Sequence, residues 1–101
     1  MILDHVALVV KDPITSAEWY CEKFNAELIY ADSTWSVVQL DNIKLAFVIK
    51  SEHPAHIAFK ISTLDSSKKT KLHRDGTTSY YTRDSDGNII EMIKYPESTH
   101  E

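Results

Sequence analysis

With 101 residues, 43% of them hydrophobic, the chain holds enough apolar material for one core and too little length for two independent domains of ordinary size. A formal charge of −4, with no basic run longer than Lys68-Lys69, argues against nucleic acid and against an anionic membrane, and leaves a small molecule or another protein as partner. No stretch approaches the roughly 18 uninterrupted apolar residues of a membrane span, the N-terminus lacks the basic start of a signal peptide, and the one cysteine, Cys21, has no internal partner, so a cytoplasmic protein is expected.

Ile2 to Val10 reads as a first strand, with Leu3, His5, Ala7 and Val9 on one face and Ile2, Asp4, Val6, Leu8 and Val10 on the other. Asp12-Pro13 then supplies a helix start, Asp as cap and Pro in the first turn, and Ile14, Ala17, Cys21 and Phe24 recur at helical spacing with Tyr20 beside them. That helix should cover a sheet and end near Asn25, a residue that tolerates the left-handed conformation. Cys21 lies on its apolar stripe and reads as packing. Three strand-like runs follow, Glu27 to Ala31, Trp35 to Leu40 and Ile43 to Ile49, the last two separated by the turn pair Asp41-Asn42. The first half therefore reads βαβββ.

Ala55-His56-Ile57-Ala58-Phe59-Lys60-Ile61 begins the pattern again, matching Asp4-His5-Val6-Ala7-Leu8-Val9-Val10 at the histidine and at the alanine two residues later. Its end agrees. Asp86-Gly87 and Asp41-Asn42 are matching turns, and counting five residues from each aspartate pairs Glu91 with Ala46. Residues 62–79 offer too few apolar side chains for a covering helix, so a loop or a turn or two is expected there, then a strand near Lys71-Leu72-His73. The expected architecture is α+β: one domain over 1–101 made of two βαβββ modules, about 1–50 and 53–95, whose curved mixed sheets surround a central cavity, the second with its helix shortened or lost. Ile57, Phe59, Ile61, Ile90 and Met92 would then form an uncovered outer face, for which a homodimer is the expected remedy unless the segment near Tyr95-Pro96 folds back.

Glu91 is the oddity of the last hairpin, a carboxylate on a strand whose neighbours are apolar on both sides. Burying it unpaired would cost several kcal/mol, so a cation, a hydrogen-bonding network or a raised pKa should accompany it. Taken singly, His5 reads as a packed strand histidine bonded to a backbone carbonyl, and Glu91 as a partner of Lys60 or Arg83 or a residue at a wet sheet margin. Taken together, two histidines at equivalent strand positions and a carboxylate on the strand closing the second repeat point to a divalent-metal site. Ala7 and Ala58 share the histidines' faces and leave space beside them. His53 reads as loop surface and His100 as part of a frayed tail. Lys44 and Lys60 can face the same cavity, which would suit an anionic substrate, although each also reads as a solvated strand end.

These residues resemble those of the vicinal oxygen chelate superfamily, which includes glyoxalase I, fosfomycin-resistance thiol transferases, extradiol dioxygenases, methylmalonyl-CoA epimerases and bleomycin-binding proteins. The resemblance covers about residues 2–94 and rests on Leu3-Asp4-His5-Val6-Ala7, on Ser16-Ala17-Glu18-Trp19-Tyr20 with Phe24-Asn25, on His56-Ile57-Ala58-Phe59, and above all on Tyr81-Thr82-Arg83-Asp84-Ser85-Asp86-Gly87-Asn88-Ile89-Ile90-Glu91. It implies metal ligands at His5, His56 and Glu91, with zinc, manganese, iron or nickel as cofactor. Glyoxalase I has a fourth ligand where this chain has Ala46. The transferases have a threonine where this chain has Ala7. In the dioxygenases an active-site tyrosine stands where Tyr81 does, and Arg74-Asp75-Gly76-Thr77-Thr78-Ser79-Tyr80 resembles the transferases' substrate and cation loop.

A metal-dependent lyase, thiol transferase or dioxygenase is therefore the expected function, with Tyr81 and Glu91 as catalytic residues and Arg74, Tyr80 and Lys60 as substrate-binding ones. The alternative is a metal-free member that sequesters a drug or metabolite, as bleomycin-resistance proteins do.

Overall fold

In the computed structural model, residues 1–97 are described, so the expectation for His100 lies outside the described residues. The elements run β1 (Ile2–Val9), α1 (Pro13–Phe24), β2 (Glu27–Ala31), β3 (Trp35–Gln39), β4 (Lys44–Val48), β5 (His56–Lys60), β6 (Lys71–Leu72), β7 (Thr78–Arg83) and β8 (Ile89–Lys94). The α+β class is as expected, and among the described residues no helix forms in the second half. No helix of the described residues is long and apolar enough to cross a membrane.

All eight strands join in one mixed sheet, ordered β2-β3-β4-β1-β5-β8-β7-β6. Its two halves, β1-β4-β3-β2 and β5-β8-β7-β6, have the same internal order and meet along an antiparallel β1/β5 seam. At that seam His5 opposes Ala58 and Ala7 opposes His56, a pairing that exchanges into itself when the two halves are swapped. The parallel pairs beside it place Ala46 opposite Ala7 and Glu91 opposite Ala58, so Ala46 and Glu91 occupy equivalent positions. The sheet is rolled. Flat, its edge strands β2 and β6 would stand roughly 34 Å apart at ordinary strand spacing, yet Arg74 in the β6–β7 turn reaches Asp32 in the β2–β3 turn at 3.4 Å.

Asp12 caps α1 by accepting from the Ile14 and Thr15 amides, Pro13 opens the helix, and Asn25 closes it at φ 55°. The helix packs Ala17, Tyr20 and Cys21 onto Val38 and Phe47 on the convex side of the sheet. Ile14 and Phe24, expected on that stripe, are 40% and 59% exposed, because a single short helix on a twisted sheet buries a narrower face than the periodicity suggests. The convex side of the second half has no such cover, and Ile57 there is 43% exposed. Gly87, at φ +86°, turns the last hairpin in a conformation that an L side chain would strain.

The face pattern expected for β1 fails at its start. A register shift between Leu3 and His5 leaves Asp4 without a partner on β5, puts Leu3 opposite Phe59 and Ile2 opposite Lys60, and so reverses the sides of Ile2 and Leu3. Phe47 is fully buried beneath α1. Phe47→Ala is expected to cost about 3–5 kcal/mol, read as a lowered urea midpoint with an unchanged slope.

Candidate metal centre

The rolled sheet brings His5 from β1, His56 from β5 and Glu91 from β8 together on its concave face. His5 Nε2 lies 3.3 Å from Glu91 Oε1 and 3.4 Å from His56 Nε2, and His56 Nε2 is 3.3 Å from the same carboxylate oxygen. The three donors thus form a nearly equilateral triangle. A tetrahedron's edge is about 1.6 times its bond length, so ligands about 2.0–2.1 Å from one ion stand about 3.3–3.4 Å apart. The set fits a divalent ion of that size, with positions left for water or another ligand.

Each donor is aimed by a further partner. His56 Nδ1 donates to the Pro54 carbonyl at 2.8 Å, which can only accept, so Nε2 is the nitrogen left free to act as a ligand, and it points inward. His5 Nδ1 donates to Asp4 at 2.7 Å. The bulge swings Asp4 beside His5, and the Tyr95 hydroxyl donates to both Asp4 oxygens at 3.0 Å from the end of β8. Lys44 in turn donates to the Tyr95 oxygen at 3.3 Å. Glu91 accepts from Ser79, whose hydroxyl is hydrogen-bonded to His73 Nε2 at 2.6 Å, and His73 itself is 3.8 Å from Glu91 Oε2.

Glu91 is only 5% exposed and His56 8%. Burial alone would raise the Glu91 pKa, but the neighbouring His5, His56 and Ser79 side chains outweigh it and hold the carboxyl well below the usual range. For His5, burial favours the neutral ring, while the hydrogen bonds of Asp4 and Glu91 prevail and push its pKa up to about 9. The geometry explains why. Each ring nitrogen faces a carboxylate, Nδ1 that of Asp4 and Nε2 that of Glu91, so the doubly protonated ring satisfies both.

The floor between the ligands is made of Ala7, Ala46 and Ala58, all buried, so no side chain larger than a methyl competes for the space there. One wall is apolar: Ala7, Val37 and Ala46 cluster with Trp35, whose ring lies 4.7 Å from that of Tyr30. On the opposite wall, Tyr81 pairs with Glu91 across β7/β8, and its ring meets His56 edge-on at 5.2 Å. Its hydroxyl is hydrogen-bonded to His53 Nδ1 at 3.3 Å, and burial with the nearby Glu91 charge pushes the phenol up to about 12. His53, read from sequence as loop surface, is half-buried, and burial and the charge of Lys71 lower its pKa.

The residues expected to bind substrate are dispersed. Lys60 stands on the concave face, two residues past Ala58, with its ammonium 5.1 Å from the centre of the Tyr95 ring. Tyr80 is opposite Met92, one step out of phase with the Tyr81–Glu91 pair, and so turns to the other side of the sheet. Arg74 is drawn to Asp32 across the rim and does not reach the ligand group. Asp4, His53, His73, Ser79 and Tyr95 had no role assigned from sequence. For Asp4 the aspartate directly before the ligand histidine was the available signal. For the others only the fold supplies the contact.

The family model of the Glyoxalase/Bleomycin resistance protein/Dioxygenase superfamily matches residues 2–92. No curated protein matches the chain. Solved structures share the fold. Methylmalonyl-CoA epimerase from Mycobacterium tuberculosis is 15% identical, with a TM-score of 0.73 over 94% of this chain and 88% of that one. A methylmalonyl-CoA epimerase variant from Streptomyces coelicolor, in complex with 2-nitronate-propionyl-CoA, is 13% identical, with a TM-score of 0.77 over 96% and 99%. NAD-dependent benzaldehyde dehydrogenase from Legionella pneumophila is 14% identical, with a TM-score of 0.72 over 91% and 98%. At such identities the likeness is one of fold.

The raised His5 pKa has a stability consequence in the metal-free protein. A histidine titrating at 6.5 unfolded and near 9 folded contributes stability that is fully present below pH 6.5 and lost as pH rises to about 9. The urea midpoint is expected to fall across that window, and Asp4→Asn, which removes the main stabiliser of the imidazolium, is expected to flatten the fall.

Proposed function

Because the chain belongs to the Glyoxalase/Bleomycin resistance protein/Dioxygenase superfamily, we propose that it is a metal-dependent enzyme in which His5, His56 and Glu91 hold one divalent ion and a small substrate completes the coordination through its oxygens. The observation that carries this reading is the triangle of His5 Nε2, His56 Nε2 and Glu91 Oε1, three atoms spaced as the ligands of a single ion are. Two imidazoles and a carboxylate suit zinc, manganese, iron and nickel alike. A bound ion would stabilise negative charge developing on the substrate's oxygens.

The chain's own residues do the rest. Asp4 and the Pro54 carbonyl orient the two histidines, and Ser79 helps keep Glu91 ionised. Tyr81, whose phenol stays protonated at neutral pH, is positioned beside His56 to donate a proton, with His53 hydrogen-bonded behind it. Trp35 and Tyr30 offer an apolar wall to the rest of the substrate. This arrangement favours proton-transfer chemistry of the lyase kind over thiol transfer, since Ala7 stands where the transferases carry a threonine. A metal-free binding module would leave three converging, individually oriented donors without a purpose.

Elemental analysis of protein prepared with zinc or manganese is expected to find about one ion per chain, and the ion should be lost in His56→Ala and in Glu91→Gln. Asp4→Asn is expected to weaken affinity about 10–100-fold. Affinity should climb as pH is raised toward about 9, because the proton on His5 Nε2 must leave first. Protein that takes up no zinc, manganese, iron or nickel under metal-replete conditions sinks the proposal.

A further inference from the structure

On the concave face, toward the end of the sheet where β1 begins, two lysines converge on one ring. Lys44 stands directly opposite His5 in the β4/β1 pairing, and Lys60 opposite Ile2 and Ile93. Strand alternation puts both on the side of the ligand group. Their ammonium groups lie 5.3 and 5.1 Å from the centre of the Tyr95 ring, and Lys44 also donates to the Tyr95 oxygen.

Two like charges brought to one ring repel each other, and the ring's quadrupole offsets only part of that. Among the described residues no carboxylate lies within 4.0 Å of either ammonium. The nearby carboxylate, Asp4, is paired with His5 and accepts from Tyr95. Tyr95 brings no negative charge of its own, since burial and the Asp4 carboxylate keep its hydroxyl protonated. In a chain whose formal charge is −4, this corner of the concave face carries unmatched positive charge immediately beside the candidate metal ligands.

We infer that Lys44 and Lys60, held against Tyr95, form a subsite for an anionic oxygen group, carboxylate or phosphate, carried by the molecule whose other oxygens meet His5, His56 and Glu91. The position of the second contact rests on the metal reading above; the subsite itself does not. The substrate class is thus a small anion with two poles: chelating oxygens at the centre and a second charged group a strand's width away.

The test titrates the full chain at low ionic strength with inorganic phosphate in one arm and acetate in another, following the side-chain NMR signals of Lys44, Lys60 and the Tyr95 ring, with and without added zinc. Saturable shifts at all three are expected in at least one arm, and the arm that saturates names the anion. Affinity should fall about tenfold or more in Lys44→Met and Lys60→Met, be restored in Lys60→Arg, and stay unchanged in Lys68→Met. Shifts that never saturate, that persist in the double Lys44→Met/Lys60→Met variant, or that move only the His5 and His56 signals overturn the subsite. Zinc that fails to bind while the lysine titration behaves as expected removes the metal reading and leaves the subsite standing.

Discussion

Lone pairs aimed at one point repel unless something positive lies between them, and this is the constraint on which the concave face depends. The Pro54 carbonyl commits His56 to offering its Nε2 lone pair, and Glu91 adds a carboxylate oxygen 3.3 Å away. In the metal-free protein the proton of His5 fills that role, and the hydrogen bonds of Asp4 and Glu91 hold it there, which is why the His5 pKa stands so far above the ordinary value. The same donors are spaced as the ligands of a single divalent ion would be.

The sheet topology produces this convergence economically. Joining two similar halves along β1 and β5 makes the two histidines neighbours by symmetry, since the His5–Ala58 and Ala7–His56 pairs are equivalent. Symmetry would equally have supplied two carboxylates, and Ala46 in place of a second one leaves the site with a single anion and an open floor. The departure from symmetry also divides the walls. The first half contributes Val37, Trp35 and Tyr30, and the second contributes Ser79, Tyr81 and His73.

What was legible in the sequence follows the reach of local patterns. Helix α1 could be bounded by Asp12 and Asn25 because caps are local chemistry, and the pairing of Ala46 with Glu91 could be counted from two turns. Alternation failed where a bulge broke it. Alternation puts Asp4 on the face opposite His5, and a single unpaired residue carries it to the imidazole. The motif from Arg74 to Tyr80 suggests a place for Tyr80 at the site, whereas its strand phase sends it to the far side. Tyr95 and His53 could not be found at all from sequence, because their partners are 91 and 28 residues away and only the rolled sheet makes them neighbours.

The hydrogen bond from Tyr95 to Asp4 joins the last strand to the first across 91 residues. The candidate ligands themselves come from the beginning, the middle and the end of the described chain. A nascent chain with only β1 to β5 exposed has both histidines and lacks the carboxylate and the tyrosine that aligns Asp4. Such long sequence separations make for slow folding. An ion that needed all three candidate ligands would be met by a finished cup and not by a growing thread, since the carboxylate arrives only with β8.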